Sequence, residues 1–154
     1  RGEVPPSEPY SKEKIIFQKH YETPGSLSKI RIPRLTFSDG SSYELYSNAF
    51  FKTGIYPRCR QTFHTGIRIT RWPKNTFCHI SAVPYHAIKF GIIVTPSVIE
   101  EGYKGEIIVN LYNSDPKQVF TVEPMDVIAH ATFARAFRFN TMLKKVSFSY
   151  KILF

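Results

Sequence analysis

The chain has 154 residues, 42% of them apolar, which suits one hydrophobic core and leaves two domains cramped. No run approaches about 18 apolar residues, so no membrane-spanning helix is expected, and the N-terminal residues lack the basic, apolar, small-residue order of a signal peptide. Two cysteines, Cys59 and Cys78, are too few for a disulfide scaffold, or for a zinc cluster unless histidines join them. Read as reduced thiols, they point to an intracellular protein.

The net charge of +9 is unevenly spread. No acid occurs between Glu44 and Glu100, where Arg58, Arg60, Arg68, Arg71 and Lys74 fall, and a second acid-free run follows Asp126. These five basic residues are candidates for a partner-binding face toward nucleic acid, phospholipid or an acidic protein surface, Arg58 and Arg60 sharing one side of a strand. A solvated basic face with no ligand is the alternative.

In chain order, Pro5, Pro6 and Pro9 make residues 1–11 an extended arm. Residues 12–20 read as a short strand through Ile15, Ile16 and Phe17, or as one amphipathic helical turn. The arm and this element make up an N-terminal segment, 1–25, and residues 26–154 the β domain. β character resumes over 29–37, interrupted at Pro33 as suits an edge strand. Asp39-Gly40-Ser41-Ser42 is a turn signal, followed by a strand from Tyr43. Three strands are expected at 58–63, 66–69 and 76–82, with turns at Thr65-Gly66 and Trp72-Pro73-Lys74-Asn75. Residues 90–113 hold two β-branched runs, 92–94 and 107–109, around an acidic, glycine-containing segment, and read as a long-looped hairpin. Strands follow at 119–122 and 127–133. Val146, Phe148, Tyr150 and Ile152 alternate with small or charged residues, which predicts a strand at the C-terminus; a free hydrophobic C-terminal ligand for a PDZ-type groove is the alternative. Short strands spaced by turns, with no window for a long helix, argue for an all-β barrel or jelly roll.

Several of these segments, colinear from about residue 30 to 139, resemble the motifs of trimeric-type dUTPases. Ser97-Val98-Ile99-Glu100-Glu101-Gly102-Tyr103-Lys104-Gly105-Glu106 is similar to the family's Gly-Val-Ile-Asp-x-Asp-Tyr-Arg-Gly-Glu hairpin, and Tyr43-Glu44-Leu45-Tyr46-Ser47 to its first motif. The resemblance implies a dUTPase-like β-sandwich or distorted jelly-roll barrel. It places Glu44 where the family has a metal-associated Asp, Glu100 where an Asp positions the attacking water, and Tyr103 where a Tyr packs on the deoxyribose. Tyr103 could instead simply pack at the hairpin tip.

Other positions depart from the family. Its Pro-Arg-Ser-Gly, whose Arg and Ser contact phosphates, is Ala82-Val83-Pro84-Tyr85 here; Gly-Asp-Arg-Ile-Ala-Gln-Leu is Met125-Asp126-Val127-Ile128-Ala129-His130-Ala131; and residues 137–154 contain no glycine with which to form the closing arm. Val83 cannot pair with a phosphate, and Pro84 removes both a hydroxyl and a backbone donor. These losses predict a catalytically inactive relative in which Glu44, Glu100 and Tyr103 are relics, with no cofactor and no metal. Such relatives look like the dUTPase-related proteins of herpesviruses and the related adenoviral early proteins. The expected role is binding host proteins to modulate host defence or signalling, in the host cytoplasm or nucleus. The first alternative is a divergent Mg²⁺-dependent dUTP pyrophosphatase that completes its site from another chain; the second is a basic nucleic-acid-binding β domain. His79, His86 and His130 lack metal-ligand spacing and read as structural or surface residues, and Trp72-Pro73 as turn and packing.

Overall fold

Alternation of apolar and polar residues builds the sheets, and the strand Glu106–Asn113 (β9) shows it most cleanly. Ile107, Val109, Leu111 and Asn113 point into the core while the residues between them face outward. In the computed structural model, which describes residues 13–20, 30–38 and 40–145, β9 lies in a four-stranded sheet with β1 (Ile16–Lys19), β5 (Arg60–Arg71) and β7 (Ile92–Thr95), ordered β1-β5-β9-β7. A five-stranded sheet faces it: β2 (Arg34–Leu35), β3 (Ser42–Tyr46), β11 (Val127–Arg135), β6 (Thr76–Ser81) and β8 (Val98–Glu100), in that order. β4 (Thr53–Ile55) and β10 (Phe120–Val122) pair separately, and α1 (Pro84–Phe90) is the one helix among the described residues.

Between the two larger sheets, Leu45, Ile80, Ala129 and Ala131 from one side meet Ile67, Ile69, Val109 and Leu111 from the other, all at most 3% exposed. Each large aliphatic side chain so buried contributes on the order of 1.5–3 kcal/mol. Phe17, Tyr43, Trp72 and Phe133 extend this core with edge-to-face contacts at 5.2–6.1 Å between centroids. The architecture is a dUTPase-like β-sandwich with open sheets, not a closed barrel.

The short strand expected within 12–20 is β1, Ile16–Lys19, and the edge position expected near Pro33 is that of β2. Three expectations need correcting. The strands at 58–63 and 66–69 are one strand, because Thr65-Gly66 is a bulge and not a turn: His64 is opposite Ile108, yet Arg68 is opposite Glu106. Arg58 lies before that strand with φ +58°, so it does not share a strand face with Arg60. The 90–113 segment is not a simple hairpin either. β7 pairs with β9, but β8 crosses to the other sheet and pairs with β6, so the segment ties the two layers together. The C-terminal strand expected at 146–152 and most of the 1–25 segment lie outside the described residues.

Gly66 sits at the centre of the bulge with φ +68°, and a Cβ placed there would lie 2.6 Å from Ile30 Cγ1. A left-handed conformation costs an L-residue about 1–2 kcal/mol, and overpacking a core adds about 1–3 kcal/mol. Gly66→Ala is therefore expected to lower unfolding stability by about 2–4 kcal/mol in urea titration. A loss below about 0.5 kcal/mol, the range of an ordinary surface change, would show that the bulge does not depend on its glycine.

Candidate functional site

The bulge and the crossover together open a pocket of about 570 Å³ beside the 96–106 segment. Thr62, Ile108 and Asn110 rise into it from the outer face of the four-stranded sheet, and Val98, Glu100 and Tyr103 overhang it. Tyr103 is held at both ends. Its hydroxyl donates to Glu106 O at 3.0 Å, and its backbone carbonyl accepts from the Trp72 indole N–H at 3.3 Å. The ring lies against Gly105, where a Cβ would come within 2.5 Å of the Tyr103 hydroxyl oxygen, so glycine is what lets the ring fold over the hairpin. Tyr103 is thus a fixed aromatic plate, still 46% exposed.

Asn110 is the polar group at the back of this pocket. It donates to Thr95 Oγ1 at 3.0 Å and accepts from Thr62 Oγ1 at 3.2 Å, which leaves one amide hydrogen and one oxygen lone pair for a ligand. Sequence reasoning missed Asn110 because its only signal is its place on the outward side of β9. Glu100 is exposed at the pocket rim. Its neighbours are committed elsewhere: Glu101 accepts from the Asn75 N–H and faces Arg138 at 3.6 Å, and Glu106 bridges the Gly66 N–H and His64. Of the three, Glu100 has the carboxylate most open to a substrate or a water.

Glu44 occupies a different place. It lies in register with His130, and His130 with Ser81, across the outer face of the five-stranded sheet. With Val83, His86, Asp126 and Val127, Glu44 and His130 line a second pocket of about 550 Å³ that shares no lining residue with the first. From Ser81 the sheet must be followed four residues along β6 to Phe77 and across to Glu100. Three strand spacings of about 4.8 Å and four residues of about 3.3 Å put Glu44 and Glu100 roughly 20 Å apart. The two carboxylates cannot meet at one phosphorus within a single chain. The basic candidates are also divided: Arg60 and Arg68, opposite Tyr112 and Glu106, are about 20 Å apart along β5, Arg68 is bonded to Gln18, and Arg71 and Lys74 line a cleft with Glu13 and Trp72.

The second pocket holds the histidines that sequence spacing left aside. Burial lowers the pKa of His86, opposed by Asp126 and reinforced by His130; burial likewise lowers that of His130, opposed by Glu44. His86 Nδ1 is buried without a hydrogen-bond partner. By contrast, burial pushes the Cys78 thiol up to about 12, which leaves it inert in the core. Because both histidines titrate below their ordinary 6.5 when folded, the unfolded chain takes up protons first as pH falls, so their contribution is complete above 6.5 and declines below it. The melting temperature is expected to drop between about pH 7.5 and about pH 5.5, and less steeply in a His86→Asn/His130→Asn double variant. Equal slopes for the two proteins would remove these histidines from the linkage.

No family model matches the chain. Among characterised proteins, the deoxyuridine 5'-triphosphate nucleotidohydrolase of Tropheryma whipplei is 36% identical over 99 residues, covering 63% of this chain and 66% of its own length. The enzyme of the same name from Ehrlichia canis is 31% identical over 109 residues, covering 70% of each. The dUTPase of Staphylococcus aureus phage phi11, in a structure describing a coordinated structural Mg(II) ion, superposes with TM-score 0.69 at 12% identity over 90% of this chain and 99% of its own. At that identity the superposition speaks for the fold. These relatives are named for an enzymatic activity, and one structural neighbour for its magnesium, which overturns the expectation of an inactive protein without a cofactor. That expectation weighed missing phosphate ligands motif by motif, one strand at a time. On the Ehrlichia alignment and the shared sandwich, the chain belongs to the deoxyuridine 5'-triphosphate nucleotidohydrolase, or dUTPase, family.

Proposed function

We propose that this protein hydrolyses dUTP to dUMP and pyrophosphate, with the hairpin pocket as its nucleoside site. The observation that carries the reading is the joint presence in that pocket of a fixed aromatic plate, Tyr103, an amide with one free donor and one free acceptor, Asn110, and an uncommitted carboxylate, Glu100. A deoxyribose packs on the Tyr103 ring, and the alternating donor and acceptor edge of uracil suits an amide. Glu100 accepts a hydrogen bond from a water and takes its proton as the water attacks. The phosphoanhydride between the α- and β-phosphates breaks, and pyrophosphate leaves with its electrons.

Magnesium fits as a companion of the substrate. No group of three or more His, Cys, Asp or Glu side chains among the described residues could cage a metal. Mg²⁺ needs no such cage, since it keeps waters and binds through one or two carboxylates and the substrate phosphates. Glu44, an oxygen donor in the second pocket, would hold it, and the ion would neutralise phosphate charge. Since Glu44 and Glu100 are roughly 20 Å apart, one complete site takes Glu100 and Tyr103 from one chain and Glu44 from another.

Purified protein supplied with dUTP and Mg²⁺ is expected to release pyrophosphate, and Glu100→Gln to slow the release by about 10²–10⁴-fold. Absence of pyrophosphate from the unaltered protein would sink the reading. The two-chain site adds a second expectation: Glu44→Gln and Glu100→Gln chains, each impaired alone, recover part of the activity after being unfolded and refolded together. No recovery on mixing would overturn the shared site. Trp72 is the sole tryptophan and donates to the Tyr103 carbonyl, so its emission is expected to shift when nucleotide binds, and not in Tyr103→Ala.

A further inference from the structure

Val83 and Val127 stand where the family resemblance expects arginines, and both line the second pocket. The carboxylates in that pocket, Glu44 and Asp126, give it negative charge, and its histidines are displaced toward the neutral form. A polyphosphate brought there needs cations from somewhere else. Two arginines that no motif includes stand beside it.

Arg34, on the edge strand β2, is the register partner of Glu44, which in turn is opposite His130, itself opposite Ser81. Directly opposed residues of antiparallel strands put their side chains on the same face. The row Arg34-Glu44-His130-Ser81 therefore runs across four adjacent strands, about 4.8 Å apart at each step. Arg34 is exposed. Arg31 approaches the same face from the chain before β2. Its guanidinium carbon lies 4.2 Å from the centroid of the Tyr46 ring, and one of its nitrogens donates a long bond, 3.5 Å, to Met125 O. Tyr46 is the register partner of Val127, and its hydroxyl donates to Glu44 at 2.6 Å. The Arg31 guanidinium is thus stacked on the neighbour of the position where the motif arginine is missing. Stacking holds the planar group in place while leaving other N–H donors for an anion.

We propose that Arg31 and Arg34 are the polyphosphate-binding cations of this protein, taking over from the arginines lost at Val83 and Val127. This rests on the dUTP reading for the identity of the nucleotide, though the anion chemistry can be tested apart from it. An arginine reaching from elsewhere on the same face can place the same fork of donors as one on the strand itself, because recognition of a phosphate depends on where the guanidinium arrives and not on where its Cα sits.

Calorimetric titrations in EDTA, with dUMP, dUTP and inorganic tripolyphosphate as probes, test the proposal. Arg34→Gln and Arg31→Gln are each expected to weaken dUTP and tripolyphosphate binding by about tenfold or more, as for a charged hydrogen bond, and to leave dUMP within about twofold. Arg34→Lys should recover part of the loss, a response that a merely structural role would not give. Arg34 lies exposed on an edge strand, so its variants fold even if removing Arg31 disturbs Tyr46; a thermal melt of each variant checks this. If dUTP binds the unaltered protein and both Gln variants equally, or if dUMP weakens as much as dUTP, the proposal is wrong while the dUTP reading stands. If tripolyphosphate binds in an Arg34-dependent way but neither nucleotide binds, the anion site stands and the dUTP reading falls.

Discussion

The Glu106 carboxylate is the point through which the register of the four-stranded sheet is set, at the wall of the first pocket. One oxygen accepts the Gly66 N–H at 2.8 Å and the other lies 2.9 Å from His64 Nδ1, so a single side chain spans the bulge in β5. Thr65 completes the joint: its hydroxyl donates to Ile107 O at 2.6 Å and accepts from the Ile67 N–H at 3.2 Å, replacing ladder bonds that the bulge interrupts. Without these bonds the buried polar groups of the bulge would each cost about 1–3 kcal/mol. With them, β5 shifts register midway and still buries Phe63 before the bulge and Ile67 and Ile69 after it. The same register brings Thr62 and Asn110 side by side behind Tyr103, so the pocket wall follows from the strand defect.

The second constraint is topological. β3, β11 and β6 place Glu44, His130 and Ser81 in one row, while β8 carries Glu100 at the far edge of the same sheet. β-Sheet geometry fixes this separation, since neither strand spacing nor rise per residue is adjustable by side-chain choice. Within one chain the two carboxylates therefore serve separate pockets.

Much of the fold was legible because alternation is a local property. β9, β11 and β3 announce themselves by which residues are apolar, and the turn at Trp72-Pro73-Lys74-Asn75 is where Asn75 takes φ +54°. Three features were not legible, for one physical reason. The bulge at Gly66, the crossing of β8 to the opposite sheet and the seven-residue helix α1 all depend on what another part of the chain offers: the Glu106 carboxylate, an open edge on β6, and room beside Phe120 for His86 and Phe90. The functional misjudgement has the same origin. Loss of arginine at Val83 and Val127 reads as loss of an anion site when strands are taken singly. Cross-strand register puts Arg34 in one row with Glu44, and Arg31 stacks on Tyr46, the partner of Val127. Glu100 and Tyr103, by contrast, lie on one contiguous segment, and the sequence alone puts them together.

The exchange of aspartate for glutamate at position 44 shows how packing can absorb a change that spacing arguments count as damage. An added methylene carries the carboxylate farther from its backbone, which in a site tuned to fractions of an ångström costs rate. In this chain the Tyr46 hydroxyl, two residues along the same face, binds that carboxylate at 2.6 Å, a short charge-assisted bond. Tyr46 is itself fixed, 2% exposed beneath the Arg31 guanidinium, and burial together with the Glu44 hydrogen bond pushes its pKa up to about 12, so it remains a donor throughout the physiological range. The longer side chain is therefore drawn along the strand toward Tyr46, and one oxygen stays oriented by it while the other is left for a cation. Arg31, Tyr46 and Glu44 form a linked series in which the stacked cation holds the ring and the ring's hydroxyl holds the carboxylate. A glutamate has the length to reach that hydroxyl, so the longer side chain and the ring contact belong to one arrangement.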